Sequence, residues 1–452
     1  MKIVLIGAGS GQFGLGTLGD IFQSRILAGS QIALVDINAE ALHNVYSVAQ
    51  DFIQQHSLPF ELQATTNRDE VLQGADIVLI SIEIGNRFQL WDEDWTIPQQ
   101  FGIKQIYGEN GGVGGIFHSL RIVPVIMDIC QSINRLCPDA FVFNYSNPMT
   151  AISTTVLRKY PDLKFIGMCH EIASLERYLP SILGTHFENL TLRSGGLNHF
   201  SVLLEAKYKD SQKDAYPDIL EKAPKFFETE PGYSDLLEYS RKHGKLPNTE
   251  GNTERFLLDS PKSKKAWADR TLFKEILDTY RLLPITTDSH LGEYIPWANE
   301  VSDHRGIKDF YTVYQLMLTK FRPKIELVRH ERVILILEGI ETDSGYEEPA
   351  VNLLNQGLIP SLPDWVAVEV PGIVTKKGIQ GIGFPNYPKG FAALLRNYCG
   401  VYDLVAEAIL QKDKEYVVQA ILANPIVNSY HTARELTDFM IERQAKWLSY
   451  LI

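Results

Sequence analysis

The 452-residue sequence predicts an α/β protein: a doubly wound parallel sheet in the first part of the chain, then a mixed α+β domain. Short, wholly apolar runs alternate with helix-like stretches up to about residue 185. The first run turns straight into a glycine cluster, and the second closes on an aspartate. Strands buried on both faces of a parallel sheet read as unbroken apolar runs, and a strand–helix–strand rhythm gives parallel crossovers.

In chain order, KIVLIG (2–7), QIALVD (31–36), DIVLISI (76–82), AFVFNYS (140–146) and KFIGM (164–168) read as strands. Between them, NAEALHNVYSVAQDFIQQ (38–55), NRDEVLQGA (67–75) and SLRIVPVIMDICQSINRL (119–136) read as helices. Residues 1–185 are thus expected to form a Rossmann-type dinucleotide-binding domain. After that the rhythm breaks. ENLTLRSGGLNHFSVLLEAKY (188–208) reads as two strands around a glycine turn, and residues 208–265 are polar, lysine-rich and weakly periodic. Helical patterns return at 263–283, 309–330, 390–411 and 433–451, with a strand at DWVAVEVPGIVT (364–375). Residues 186–452 are therefore expected to form a mixed α+β domain docked on the first.

Composition narrows the partners. The chain is 45% hydrophobic and 22% charged, with a formal net charge of −12. That balance argues against nucleic acid or an anionic membrane, which attract basic patches. No apolar run in the sequence approaches membrane-spanning length, and MKIVLIGAGSG reads as a strand entering a turn rather than a signal peptide. Four cysteines without a CxxC pair fit reduced thiols and a cytoplasmic location.

Gly7, Gly9, Ser10 and Gly11 follow the first strand, where glycines allow a sharp turn and close approach of the backbone to a pyrophosphate. The G-x-G-x-x-G pattern is imperfect: its third position is Gln12, with Gly11 and Gly14 on either side. Asp36 ends the second strand, where a carboxylate binds the ribose hydroxyls of NAD and disfavours the 2′-phosphate of NADP. Together they predict an NAD site.

A second group follows other strand ends. Cys169 and Glu171 lie in GMCHEI, Asn147 in NYSNP, and His199 in GGLNHF. In doubly wound folds ligands bind outside the carboxyl ends of strands. Cys169 and His199 together suit a divalent transition metal, with positions left for substrate and water. Each also has a plainer reading. Asn147 could cap a helix beginning at Pro148, His199 could be a turn histidine, and Glu171 could be an acid in the first turn of a helix.

The series GAGS with Asp36, NYSNP, GMCHE, GLNHF, DSHLGEY and VEVPGIV, in this order from residue 1 to about residue 400, resembles glycoside hydrolase family 4. That family is similar in fold to lactate and malate dehydrogenases, yet hydrolyses glycosides with NAD and a divalent metal, often Mn2+, outside the two-carboxylate scheme. The resemblance implies Cys169 and His199 as metal ligands and Tyr294 as catalytic base. It implies Arg87, Asn147, Glu109 and Glu171 as substrate-binding, with Asn110 in the same cleft. His170 is the candidate acid for the leaving oxygen. The implied course is hydride removal from the sugar C3, loss of the C2 proton, elimination at C1, addition of water and return of the hydride. Cys169-His170-Glu171-Ile172 is similar to the Cys-His-Glu-Val of the α-galacturonidase branch, which implies α-linked galacturonic acid as the substrate, with Arg87 and Arg121 as candidate partners of its carboxylate. An α-galactosidase, α-glucosidase or 6-phospho-glucosidase is the neighbouring reading, and a 2-hydroxyacid dehydrogenase a more distant one. A small carbohydrate substrate and a homo-oligomer, dimer or tetramer, are expected, and the resemblance implies that residues 186–452 carry substrate, metal and oligomer contacts.

Overall fold

The computed structural model describes residues 1–451 apart from 170, 246–260, 321–323 and 328–330, and apart from the side chains of residues 12, 319 and 320. The first six strands are β1 (Lys2–Ile6), β2 (Gln31–Val35), β3 (Glu61–Thr65), β4 (Ile77–Ile80), β5 (Phe141–Asn144) and β6 (Lys164–Gly167). They pair in parallel in the order β3-β2-β1-β4-β5-β6, the doubly wound order that carries dinucleotides at its switch point. β4 and β5 are buried at every position, as their unbroken apolar runs require.

The rest of the sheet comes from the second part of the chain. β7 (Leu190–Leu197), β8 (Phe200–Tyr208), β9 (Leu283–Pro284), β10 (Glu347–Leu354), β11 (Ala367–Thr375) and β12 (Gly378–Gly381) are antiparallel. β10 joins β6, and the order continues β10-β11-β7-β8-β9, so one twelve-stranded sheet runs through both parts. The carboxyl end of β6 thereby faces the β7–β8 turn.

Several elements differ from the sequence expectation. β3 and β10 carry no unbroken apolar run; β3 is an edge strand with no fully buried position. The long core helix is Gly112–Leu136, not 119–136. Its first turns are glycine-rich because they press on backbone: a Cβ on Gly114 would lie 2.6 Å from the Asp94 carbonyl oxygen, and one on Gly115 2.5 Å from that of Asn110. Glycine's low helix propensity hides such a start. The helix is long and apolar enough to cross a membrane by composition, but 78% of its most apolar window is buried in the protein, which marks a core helix. Among the described residues, the polar stretch after residue 208 holds the helices Tyr216–Phe227 and Tyr233–His243, which bury Ile219, Ala223 and Phe227, and Leu236 and Leu237. The helix sought over 263–283 is only Thr271–Tyr280, because Trp267 and Asp269 take left-handed backbone angles, φ 56° and 60°. Asp288 then caps that helix, accepting from the Leu272 and Phe273 amides at 2.9 Å each.

Arg121 is part of this core and not of a sugar site. It is 4% exposed, paired with Asp94, and bonded to Gln444 Oε1 at 2.7 Å. Removing one partner of such a buried pair leaves the other charge without compensation, at a cost of about 3–5 kcal/mol. Arg121→Ala is expected to lower unfolding stability by that amount in urea titration, and a loss below about 1 kcal/mol would contradict the pairing.

Candidate active site

The glycine turn is built for close approach. Gly7 has φ 90°, and a Cβ on it would lie 1.9 Å from the Ser81 carbonyl oxygen. Ser10 caps the helix Gly11–Phe22, its Oγ accepting from the Phe13 amide at 3.3 Å. Gly11 is the first residue of that helix, whose free amides form an anion-binding end. The third glycine of the pattern is Gly14: a Cβ there would meet the Ala8 carbonyl oxygen at 2.2 Å, so only glycine permits this helix–strand packing. Asp36 accepts from the Gly9 and Asn38 amides, both at 2.8 Å, which fixes its carboxylate at the end of β2. Gly9, packed against that carboxylate, has no room for a Cβ. These residues fit an NAD pyrophosphate and ribose.

Cys169 and Glu171 follow β6, and His199 forms the β7–β8 turn. That turn is Asn198-His199 itself, with His199 at φ 60°, while the expected turn glycines, Gly195 and Gly196, lie within β7. One ligand atom from each of Cys169, Glu171 and His199 lies within 4.8 Å of the others. The donor set of sulfur, nitrogen and oxygen suits a divalent transition ion. Glu171 Oε2 is buried and has no hydrogen-bond partner, as a ligand oxygen held for an ion would be. Glu171 could therefore hold an ion together with Cys169 and His199, a role beyond the sugar contact expected of it. It is not a first-turn helix acid either, since the next helix begins at Ala173 and Ile172 occupies its cap position. Burial and the nearby Glu171 and Glu369 charges hold the Cys169 thiol well above its ordinary pKa, so a thiolate there needs a cation.

His290 completes the group. Its ring stacks on that of His199, with centroids 4.5 Å apart and planes 5° apart. Nδ1 lies 2.7 Å from Glu171 Oε1, and Nε2 lies 3.3 Å from Glu109 Oε2. Burial works against its charge, but the two carboxylates outweigh burial and hold it protonated. Glu109 shows the reverse balance: burial opposes ionisation, yet His290 and Arg87 pull its pKa down to about 2.

Arg87 opens the helix Arg87–Gln100 and pairs with Glu109 at 3.1 Å and Glu83 at 3.6 Å. Its guanidinium lies over Trp91 and Tyr314, 5.0 and 5.1 Å from the ring centroids. Asn147 is not a helix cap; that position is Pro148, and Asn147 Oδ1 is buried without a partner. Glu293 accepts the Asn110 and Gly111 amides at 3.1 Å and the Glu109 amide as well, and so fixes the loop that carries Glu109.

Tyr294 sits in an aromatic enclosure beside the β7–β8 turn. It is 1% exposed, with its ring stacked on Phe200 at 4.9 Å and edge-on to Tyr398. Its hydroxyl is bonded to the Asn198 carbonyl at 3.4 Å and to Tyr402, and burial pushes its pKa well above 10. The ring is thus enclosed, while the hydroxyl meets the residue before His199 in the β7–β8 turn. The group that faces the cluster is His290, one helical turn earlier in DSHLGEY. His170 lies outside the described residues.

The family models decide the kinship. Family 4 glycosyl hydrolase matches residues 2–185, and the family 4 C-terminal domain matches residues 194–427. The chain belongs to glycosyl hydrolase family 4. An α-glucosidase of Erwinia rhapontici is 60% identical over 450 residues, covering 100% of this chain and 99% of that protein. An α-galacturonidase of Thermoanaerobacter italicus is 26% identical, covering 99% of this chain and 97% of that one. A solved 6-phospho-α-glucosidase from gut microorganisms, in complex with NAD and Mn2+, shares the fold with a TM-score of 0.77 at 19% identity, over 98% of each chain.

For this family 4 chain the glycine turn yields a direct test. Gly14→Ala, whose methyl would meet backbone at 2.2 Å, is expected to weaken NAD binding at least tenfold in a calorimetric titration. Unchanged affinity in the folded variant would remove Gly14 from the site.

Proposed function

We propose that this chain hydrolyses neutral α-glucosides with NAD and a divalent metal ion, Mn2+ being the first to test. The observation that carries the reading is the convergence of Cys169, Glu171 and His199 within 4.8 Å at the carboxyl end of a dinucleotide-binding sheet. When bound, NAD supplies a hydride acceptor and the ion supplies a Lewis acid for a sugar oxidised at C3. Cys169, Glu171 and His199 hold the ion. Gly7, Gly9, Ser10, Gly11, Gly14 and Asp36 hold the dinucleotide. Asn147 offers a free carboxamide oxygen to a sugar hydroxyl. Arg87, set over the rings of Trp91 and Tyr314, closes one wall of the sugar site.

His290 takes the C2 proton in this scheme, in place of Tyr294. With an ion held on Glu171 Oε2, Oε1 would stay on His290 Nδ1, but that carboxylate's charge would be offset, which would ease release of the His290 proton and suit it to a base. Glu109 stays against Nε2 and orients the ring. His170 keeps the role that the sequence suggests for it, acid to the leaving oxygen.

The glucoside preference rests on two supports. The α-glucosidase of Erwinia rhapontici is 60% identical, against 26% for the α-galacturonidase. A uronate also needs an unshared cation, because an unpaired buried carboxylate is costly. Arg121 is locked to Asp94, and Arg87 already serves Glu83 and Glu109. The galacturonide preference suggested by the Cys169–Ile172 run therefore has weaker support.

The experiment is a substrate panel of α-glucoside, α-galactoside, α-galacturonide and 6-phosphoglucoside, each with NAD, Mn2+ and a thiol reductant. Turnover is expected to be fastest on the α-glucoside, to vanish on chelation or removal of NAD, and to leave no net NADH. Preference for the galacturonide would overturn the substrate reading, and full turnover without metal would overturn the mechanism. His290→Ala is expected to lose about 10²- to 10⁴-fold in rate, with Tyr294→Phe within about tenfold of the parent. The reverse order would return the base to Tyr294.

A further inference from the structure

Glu369, in the VEVPGIV run of β11, has no part in the chemistry described so far. It is 1% exposed and carries three hydrogen bonds. Ser201 Oγ donates to Oε1 at 2.6 Å, and Asn198 and Asn352 Nδ2 donate to Oε2 at 3.1 and 3.4 Å. All three donors are neutral. Among the described residues no Lys, Arg or His forms an ion pair with it, although isolated buried charges are costly unless paired.

Its partners lie on the two elements that bring the metal ligands together. Asn198 and Ser201 flank His199 in the β7–β8 hairpin, and the Asn198 carboxamide also bonds the Cys169 thiol. Asn352 is the register partner of Gly167 on β6, two residues before Cys169, and its Nδ2 lies 3.5 Å from the Gly167 carbonyl oxygen. Glu369 itself pairs with Gly196 of β7. It is thus the joint between the strand that delivers Cys169 and the hairpin that delivers His199.

We propose that Glu369 is the outer carboxylate of the metal centre: it fixes the Cys169 and His199 elements against each other, and its charge is balanced by the divalent ion instead of a protein cation. The inference rests on the metal reading of Cys169, Glu171 and His199 given above. Glu369 touches neither substrate nor cofactor and acts as a positioning residue. Partners of this kind typically govern metal affinity by about 10- to 100-fold.

The test is Glu369→Gln in the full-length, NAD-loaded chain. Free Mn2+ is measured by electron paramagnetic resonance during titration, and Tm is measured separately with and without Mn2+. The variant is expected to bind Mn2+ about 10- to 100-fold more weakly and to lose most of the metal-induced rise in Tm. Its metal-free Tm should stay level or rise, because an uncompensated buried charge has been removed. A purely structural Glu369 gives the opposite pattern, a lower metal-free Tm with unchanged Mn2+ affinity, and that result would overturn the proposal. Ser201→Ala removes the hydroxyl bonded to Oε1 while keeping the carboxylate, and serves if Glu369→Gln does not fold. It is expected to weaken Mn2+ binding about tenfold, at the lower end of what outer partners govern, and unchanged affinity would again overturn the proposal. A parent chain that binds no Mn2+ would instead bring down the metal reading itself, and this inference with it.

Discussion

Three groups able to carry negative charge, Cys169, Glu171 and Glu369, meet at the carboxyl end of β6; histidines offset Glu171, while Cys169 and Glu369 form no ion pair with a lysine or arginine among the described residues. Burial opposes charge on all three, most clearly on the Cys169 thiol and on Glu369, whose pKa values rise. Such a cluster is costly in a protein interior unless a cation joins it. Much of the surrounding architecture serves to hold these groups together. Glu171 is fixed by His290 and Thr286, and Asn198 is fixed by Glu369.

The continuous sheet makes this meeting possible. β6 ends the parallel half, and β10 and β11 carry the sheet into the β7–β8 hairpin. Cys169 and His199 are thirty residues apart in sequence, yet the register of Asn352 with Gly167 and of Glu369 with Gly196 sets them side by side. Two further buried carboxylates hold backbone in place. Asp288 caps the helix Thr271–Tyr280 and anchors the start of the segment that carries His290. Glu293 gathers the amides of residues 109–111 and aims Glu109 at His290. The burial of Glu293 and the charge of Glu109 raise its pKa to about 7, a strain that the three amides partly offset.

The parallel half of the fold was legible because β1, β4 and β5 are buried on both faces and so read as plain apolar runs. The antiparallel half was less so. β10 is the short sequence EEPAVNLL, whose Glu348 is wholly buried against Arg332, so its core face does not look apolar. At the site, the glycine turn, Asp36, Cys169 and His199 stand at strand ends that sequence alone identifies. Glu171 was visible as a residue, but its place among the ligands depends on a carboxylate oxygen left without a partner. His290 and Tyr294 share one motif four residues apart, and spacing cannot tell which faces the cleft. Packing separates their surroundings: Phe200 and Tyr398 flank the tyrosine ring, while His199 and Glu171 meet the histidine. Gly14 could have been found from the sequence by allowing the third glycine to fall one turn into the helix.

The account makes this site an oxidation–elimination centre, in which NAD is used and restored within each turnover, and not a pair of carboxylates acting on the glycosidic oxygen. In the proposed function, His290 has a task only if the C–H bond at C2 is broken. The most direct measurement is therefore isotopic. An α-glucoside is hydrolysed in deuterium oxide with NAD and Mn2+, and the released glucose is examined by proton NMR and mass spectrometry. The account predicts deuterium at C2 of the product, with no net NADH. Product that carries only the original hydrogen at C2, formed at the full rate, would contradict it.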